Sequence, residues 1–174
     1  MFRSVILEGP DGCGKSTLAE FLSRHLRVPV KTAGPKPKNL LHEIKNIREQ
    51  IYWLKKGCIL DRCTTVCQAV YRNKPESLIY NSVLDYMSTK AKIVFCITDT
   101  PKHERKEYDT DEHLEYIESN RQQIYENYMR ILSRHEHTVY DWRIDNEFEV
   151  LKSVSGLIGT GYSYKAERPG SFRD

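Results

Sequence analysis

The stretch Glu8-Gly9-Pro10-Asp11-Gly12-Cys13-Gly14-Lys15-Ser16-Thr17 decides the fold. Gly9, Gly14, Lys15 and Ser16 hold the spacing G-x-x-x-x-G-K-[ST], in which main-chain N–H groups converge on a polyphosphate. The run opens directly into a helix, whose N-terminus carries partial positive charge and favours an anion. Its setting supports the reading. Residues 2–7 before it hold apolar residues in a run short enough for a buried strand, and after it Leu18, Phe21 and Leu22 fall at helical spacing within residues 15–25. A plain glycine turn followed by a helix capped at Ser16 is the alternative.

The rest of the chain alternates strand and helix. Residues 28–32 read as a second strand, ended by Gly34-Pro35-Lys36-Pro37-Lys38, where the prolines forbid a ladder. Leu41, Ile44, Ile47, Ile51 and Leu54 mark an amphipathic helix over 40–54, and Gly57 stops it. Cys58-Ile59-Leu60 is a brief apolar run leading into Asp61-Arg62. Helices are predicted over 64–71 and 76–88, a central strand over 91–98, one long helix through Leu114, Ile117, Ile124, Tyr128 and Ile131, a last strand over 138–142 and a last helix over 148–158. This order predicts a doubly wound α/β fold: a P-loop three-layer sandwich with about five parallel strands and helices on both faces.

With 174 residues and 39% hydrophobic content the chain can bury one sizeable core, so residues 1–158 are expected to form a single domain. The segment 99–111 is too polar to bury and reads as a short lid; 159–174 is a tail without a period. A formal charge of +3 is mild for a protein that grips a nucleic-acid backbone, which points instead to a small anionic ligand. No apolar run is long enough for a membrane span, and the N-terminus meets Glu8 too early for a secretory signal, so a cytoplasmic setting is expected. The five cysteines read as reduced small apolar residues; Cys63 and Cys67, four apart, are a weak metal alternative with no second ligand pair.

The loop with its preceding acid closely resembles the thymidylate kinase family pattern E-G-x-D-G-x-G-K-S-T. The resemblance implies that ATP is the phosphoryl donor and Mg²⁺ the cofactor, with Gly9, Asp11, Gly12, Cys13, Gly14, Lys15, Ser16 and Thr17 as nucleotide contacts. Lys15 should reach the β- and γ-phosphates and the Ser16 hydroxyl should bind Mg²⁺. Asp11 is awkward inside an anion-binding loop unless it meets a hydroxyl or cation; the family's carboxylate there contacts the acceptor's sugar and phosphate region. The segment 61–71, which opens on Asp61-Arg62, resembles the family's D-R-Y-x-x-S-x-x-A-Y-Q block, which implies Asp61 near the metal and Arg62 on the transferring phosphates. Cys63 and Val66 replace the block's Tyr and Ser, and Tyr71 stands one place beyond its second Tyr. A surface Asp-Arg pair is the plainer alternative.

Lys102-His103-Glu104-Arg105-Lys106 occupies the lid position, and Arg105 is the candidate for the arginine that such kinases deliver from the lid when Gly stands at position 12. Arg48 resembles a base- and phosphate-contacting arginine on the helix before Asp61. Arg121 interrupts an apolar stripe, which turns a cation inward toward bound phosphate or a neighbouring acid. Lys31 and Lys36 are weak substitutes for an Arg-Glu pair the family carries near Gly34. Tyr52, Trp53 and Tyr71 could stack on a base or simply fill the core.

The expected activity is phosphorylation of a deoxynucleoside 5′-monophosphate, thymidylate or a near relative, to the diphosphate, by a protein that the family likeness makes a plausible homodimer. A hydroxyl acceptor is the nearest rival, with Glu8 as its base. A non-catalytic ATP-binding switch is the other, with Asp61 or Asp99 as the acid that such modules place after a strand.

Overall fold

The computed structural model describes residues 4–34, 36–99 and 110–156. Expectations for residues 2–3, the 100–109 segment with Arg105, and 157–174 lie outside the described residues.

Five parallel strands, β1 (Val5–Glu8), β2 (Val30–Thr32), β3 (Ile59–Asp61), β4 (Lys92–Cys96) and β5 (His137–Tyr140), form one sheet in the order β2-β3-β1-β4-β5. Among the described residues the helices are α1 (Lys15–Leu26), α2 (Leu40–Lys56), α3 (Thr64–Tyr71), α4 (Leu78–Ser88), α5 (Asp111–Ser119), α6 (Arg121–Leu132) and α7 (Glu147–Ser155). β1 sits at the centre, with Leu7 opposite Asp61 on one side and Val94 on the other. A strand flanked by parallel partners and covered on both faces has no wet side, and every residue of β1 is buried.

The two-residue alternation of the strands sorts the core into two layers. Ile6, Leu60, Ile93 and Phe95 pack with Leu54 of α2, Val66 and Ala69 of α3, Leu84 of α4 and Tyr128 of α6. On the opposite face, Val5, Leu7, Ile59 and Val94 pack with Leu18 and Leu22 of α1 and Val150 and Val154 of α7. This is the three-layer α/β sandwich the sequence predicts.

Several boundaries differ from the sequence reading, three of them with a visible local cause. The single long helix is two, because Asn120 leaves helical geometry at φ −114°, ψ 14°. Its side-chain amide donates to the Tyr116 carbonyl at 2.9 Å, a local bond that competes with continuation of the helix. β2 begins at Val30 rather than 28, because Arg27 ends α1 at φ 55° and the Val28 N–H still donates back to the Ser23 carbonyl at 3.3 Å. α4 begins at Leu78, capped by the Ser77 hydroxyl, two residues later than expected. Cys63 is buried and Cys67 partly so, and desolvation pushes both thiols up to about 12, which leaves them as neutral thiols rather than thiolate ligands. Among the described residues no helix is long and apolar enough to cross a membrane.

The chain leaves β1 through Gly9, at φ 139°, so close to β4 that an added Cβ would overlap the Cys96 carbonyl oxygen. Cys96 is held in the sheet and cannot yield cheaply. Gly9→Ala is therefore expected to destabilise the protein by about 3 kcal/mol, read as a lower urea midpoint at an unchanged slope.

Candidate active site

The phosphate loop turns on two left-handed glycines, Gly12 at φ 76° and Gly14 at φ 74°, the latter serving as the N-cap of α1. A Cβ on Gly14 would stand 3.2–3.3 Å from the Trp142 side chain, so the segment after β5 packs directly on the loop. Cys13 is buried in the loop and Thr17 lies exposed on the first turn of α1. Lys15 is only 6% exposed and its ammonium donates to the Pro10 carbonyl of its own loop. Burial, followed by the Arg62 charge, pulls its pKa below the ordinary lysine range. A buried ammonium satisfied by one carbonyl is well placed to take an anion.

The Ser16 hydroxyl donates to Asp61 Oδ2 at 3.0 Å. Asp61 ends β3 at the carboxyl edge of the sheet, beside β1. A hydroxyl and a carboxylate at one point suit a hard divalent cation such as Mg²⁺, whose remaining positions phosphate oxygens and water usually fill.

Asp11, Arg62 and Tyr71 meet although 60 residues separate the first from the last. The Arg62 guanidinium pairs with Asp11 Oδ1 through Nη2 and donates to the Tyr71 hydroxyl through Nη1 at 3.2 Å. The Tyr71 hydroxyl donates in turn to Asp11 Oδ2 at 3.1 Å. Arg62 itself has φ 71°, a left-handed conformation that costs a residue with a side chain roughly 1–3 kcal/mol. Main-chain tethers hold it there: the Arg62 N–H donates to the Leu7 carbonyl at 3.0 Å, and the next N–H, of Cys63, donates to Glu8 Oε1 at 2.5 Å. Gln50 of α2 braces the same corner, exchanging 3.0 Å hydrogen bonds with the Thr64 N–H and hydroxyl.

Glu8 is fully buried, and its Oε2 makes no hydrogen bond among the described residues. Burial raises its pKa to about 8, against the partial relief given by the Cys63 N–H and the charges of Arg62 and Lys15. The Tyr128 hydroxyl is likewise buried without a hydrogen-bond partner among the described residues.

The remaining predicted residues do not all join this cluster. Arg121 does not turn inward as expected: the break at Asn120 makes it the first residue of α6, its side chain is 57% exposed, and of the two partners expected it takes the neighbouring acid, pairing loosely with Glu118 at 3.9 Å. Arg48 lies on the exposed side of α2. Lys31 stacks over the Trp53 ring at 3.7 Å rather than reaching toward the loop, and Tyr52 is exposed. Asp99 pairs with Arg143, which also holds Asp141 at 2.7 Å. Sequence reasoning missed Gln50, Trp142 and Tyr128. Gln50 carried a signal, a polar residue three places after Ile47 and four before Leu54, on the apolar stripe of an amphipathic helix; Trp142 and Tyr128 looked like ordinary core.

Glu8 keeps its proton to about pH 8 in the fold, against 4.5 for an ordinary glutamate, so between those values the folded state binds more protons than the unfolded one. Stability accordingly falls as pH rises through that window and levels off above it. Glu8→Gln abolishes this titration. Its melting temperature relative to the parent protein is expected to climb between pH 5 and 9 by on the order of 10 °C, measured by thermal scans across that range.

No protein-family model matches the sequence, and no curated protein does. Among solved structures, the fold is similar to the YorR protein of Bacillus subtilis in complex with phosphorylated GDP, at 23% identity over 88% of this chain and 94% of that one, with a TM-score of 0.62. It is also similar to deoxyadenosine kinase from M. mycoides with bound dATP, at 18% identity over 86% of this chain and 97% of that one, TM-score 0.48. A third likeness is to thymidylate kinase from Ehrlichia chaffeensis, at 16% identity over 88% and 97% of the two chains, TM-score 0.42. What this degree of similarity establishes is the architecture alone: a five-stranded parallel sheet between helical layers.

Proposed function

We propose that this chain is a phosphotransferase that moves the γ-phosphoryl group of ATP, with Mg²⁺, onto a deoxynucleoside 5′-monophosphate, thymidylate or a near relative. One observation carries the proposal: Asp11, Arg62 and Tyr71 converge beside the phosphate loop. A loop that only held a triphosphate would gain nothing from a carboxylate facing into it. A second ligand bearing both a hydroxyl and an anionic group gives that carboxylate and its neighbouring guanidinium separate tasks.

The division of labour follows from the positions of the residues. Lys15 exchanges the Pro10 carbonyl for β- and γ-phosphate oxygens, and Ser16 and Asp61 hold the cation directly or through water. Bound Mg²⁺ supplies charge neutralisation across the transferring group. Arg62 turns from Asp11 toward the phosphoryl oxygens, which frees Asp11 and Tyr71 to bond a sugar hydroxyl. An acceptor phosphate oxygen forms the new bond to the γ-phosphorus as the bond to the β,γ-bridging oxygen breaks, and ADP departs. The attacking oxygen is already anionic, so no base is needed. Glu8, the base that a hydroxyl acceptor would call for, is fully buried, which favours the phosphate acceptor. Arg48 and Arg121 remain proposed acceptor contacts only if the acceptor draws them inward, and Arg105 is the proposed lid arginine. A homodimer in the cytoplasm belongs to the same reading.

A coupled ADP-release assay over the common deoxynucleoside monophosphates tests the proposal, with turnover expected for thymidylate or a near relative. Absence of ADP with every one of them would overturn it. In the active assay Arg62→Ala is expected to lower kcat by about 10³-fold, and Asp11→Asn to raise the acceptor KM by about tenfold with the ATP KM little changed, both read from steady-state kinetics.

A further inference from the structure

Glu8 is the one residue of β1 that its neighbours do not explain. Val5, Ile6 and Leu7 are buried apolar residues of a central strand, and the same packing at position 8 would favour a fourth. An acid there carries a desolvation cost that one hydrogen bond only partly offsets. In this structure it presents no surface to a ligand. What it does touch is the main chain immediately after Arg62, the residue held at φ 71°.

We propose that Glu8 is a positioning residue for Arg62: by accepting the Cys63 N–H, it locks the left-handed turn that aims the guanidinium at Asp11 and the phosphate loop. This deepens the phosphotransferase reading and rests on it for its kinetic consequences. The geometry is that of two tethers on one strained link. The Arg62 N–H is bonded to the Leu7 carbonyl and the Cys63 N–H to the Glu8 carboxyl, so consecutive amides are pinned to consecutive residues of β1. A relaxed Arg62 would swing its side chain away from the Asp11 and Tyr71 oxygens it now reaches. Two further details agree. Cys63 offers α3 no side-chain cap, so Glu8 also satisfies an amide at that helix start. Only one carboxyl oxygen is used, which means that an amide side chain of the same length can replace the acid.

The test uses the full chain with ATP, Mg²⁺ and whichever deoxynucleotide it accepts. Glu8→Ala is expected to lower kcat by about 10- to 100-fold, and Glu8→Gln to recover most of that loss. In an Arg62→Ala background Glu8→Ala should cost nothing further, because the group it positions is gone. Independent, multiplying losses in that double variant would overturn the proposal, and so would a Gln variant as damaged as the Ala one. Should Glu8→Ala fail to fold, Glu8→Asp, one methylene too short to reach Cys63, takes its place with the same expectations. The Arg62 Nε–H signal in NMR reads the positioning without turnover: narrow and slow to exchange in the parent protein and in Glu8→Gln, broadened and fast in Glu8→Ala. If the parent protein phosphorylates nothing, the functional reading fails while that spectrum still decides this one, and an unaltered Arg62 signal in Glu8→Ala would overturn it.

Discussion

The placement of β1 between β3 and β4 is the constraint on which the rest depends. Parallel pairing on both edges fixes where β1 ends, and its end fixes where the phosphate loop begins. Gly9 passes the Cys96 carbonyl with no room for a side chain, so the loop leaves the sheet along a single path. Because β3 ends beside β1, Asp61 and Arg62 emerge at the same edge, and the Ser16–Asp61 pair and the guanidinium come with the topology.

The chemistry at that edge is organised by mutual neutralisation. Lys15 lies on a carbonyl of its own loop, Ser16 on Asp61, and Arg62 on Asp11 and Tyr71. In a buried setting charges without partners are costly, so the cluster is stable only because every cation has a near acceptor. The strain at Arg62 is tolerated for the same reason: Leu7 and Glu8 over-determine the turn from below, and Gln50 braces the first turn of α3.

The parts of this arrangement that were legible in the sequence are the local ones. The loop was readable because glycine and lysine spacing encodes backbone shape over ten residues, and α3 was placed at 64–71 because its start and stop are both short-range signals. Arg121 was misread because an apolar stripe assumes one continuous helix, and a single Asn with a bond to its own backbone reset the phase. The meeting of Asp11 with Tyr71 was hidden for another reason. It depends on how far α3 extends from the sheet edge, which no pattern within either segment records. The burial of Glu8 was equally out of reach, since an acid at a strand end ordinarily marks the surface.

The pairing of Arg62 with Asp11 also bears on how the protein treats the free phosphate and sulfate that are abundant in any cell. A small inorganic anion that displaced the carboxylate from the guanidinium would leave that carboxylate, which also accepts from the Tyr71 hydroxyl, facing negative charge. A compound that brings an alcohol along with its phosphate relieves both partners at once. Under the proposed function the ion pair would act as a filter, set against simple anions by the same contact that a sugar phosphate would turn to advantage.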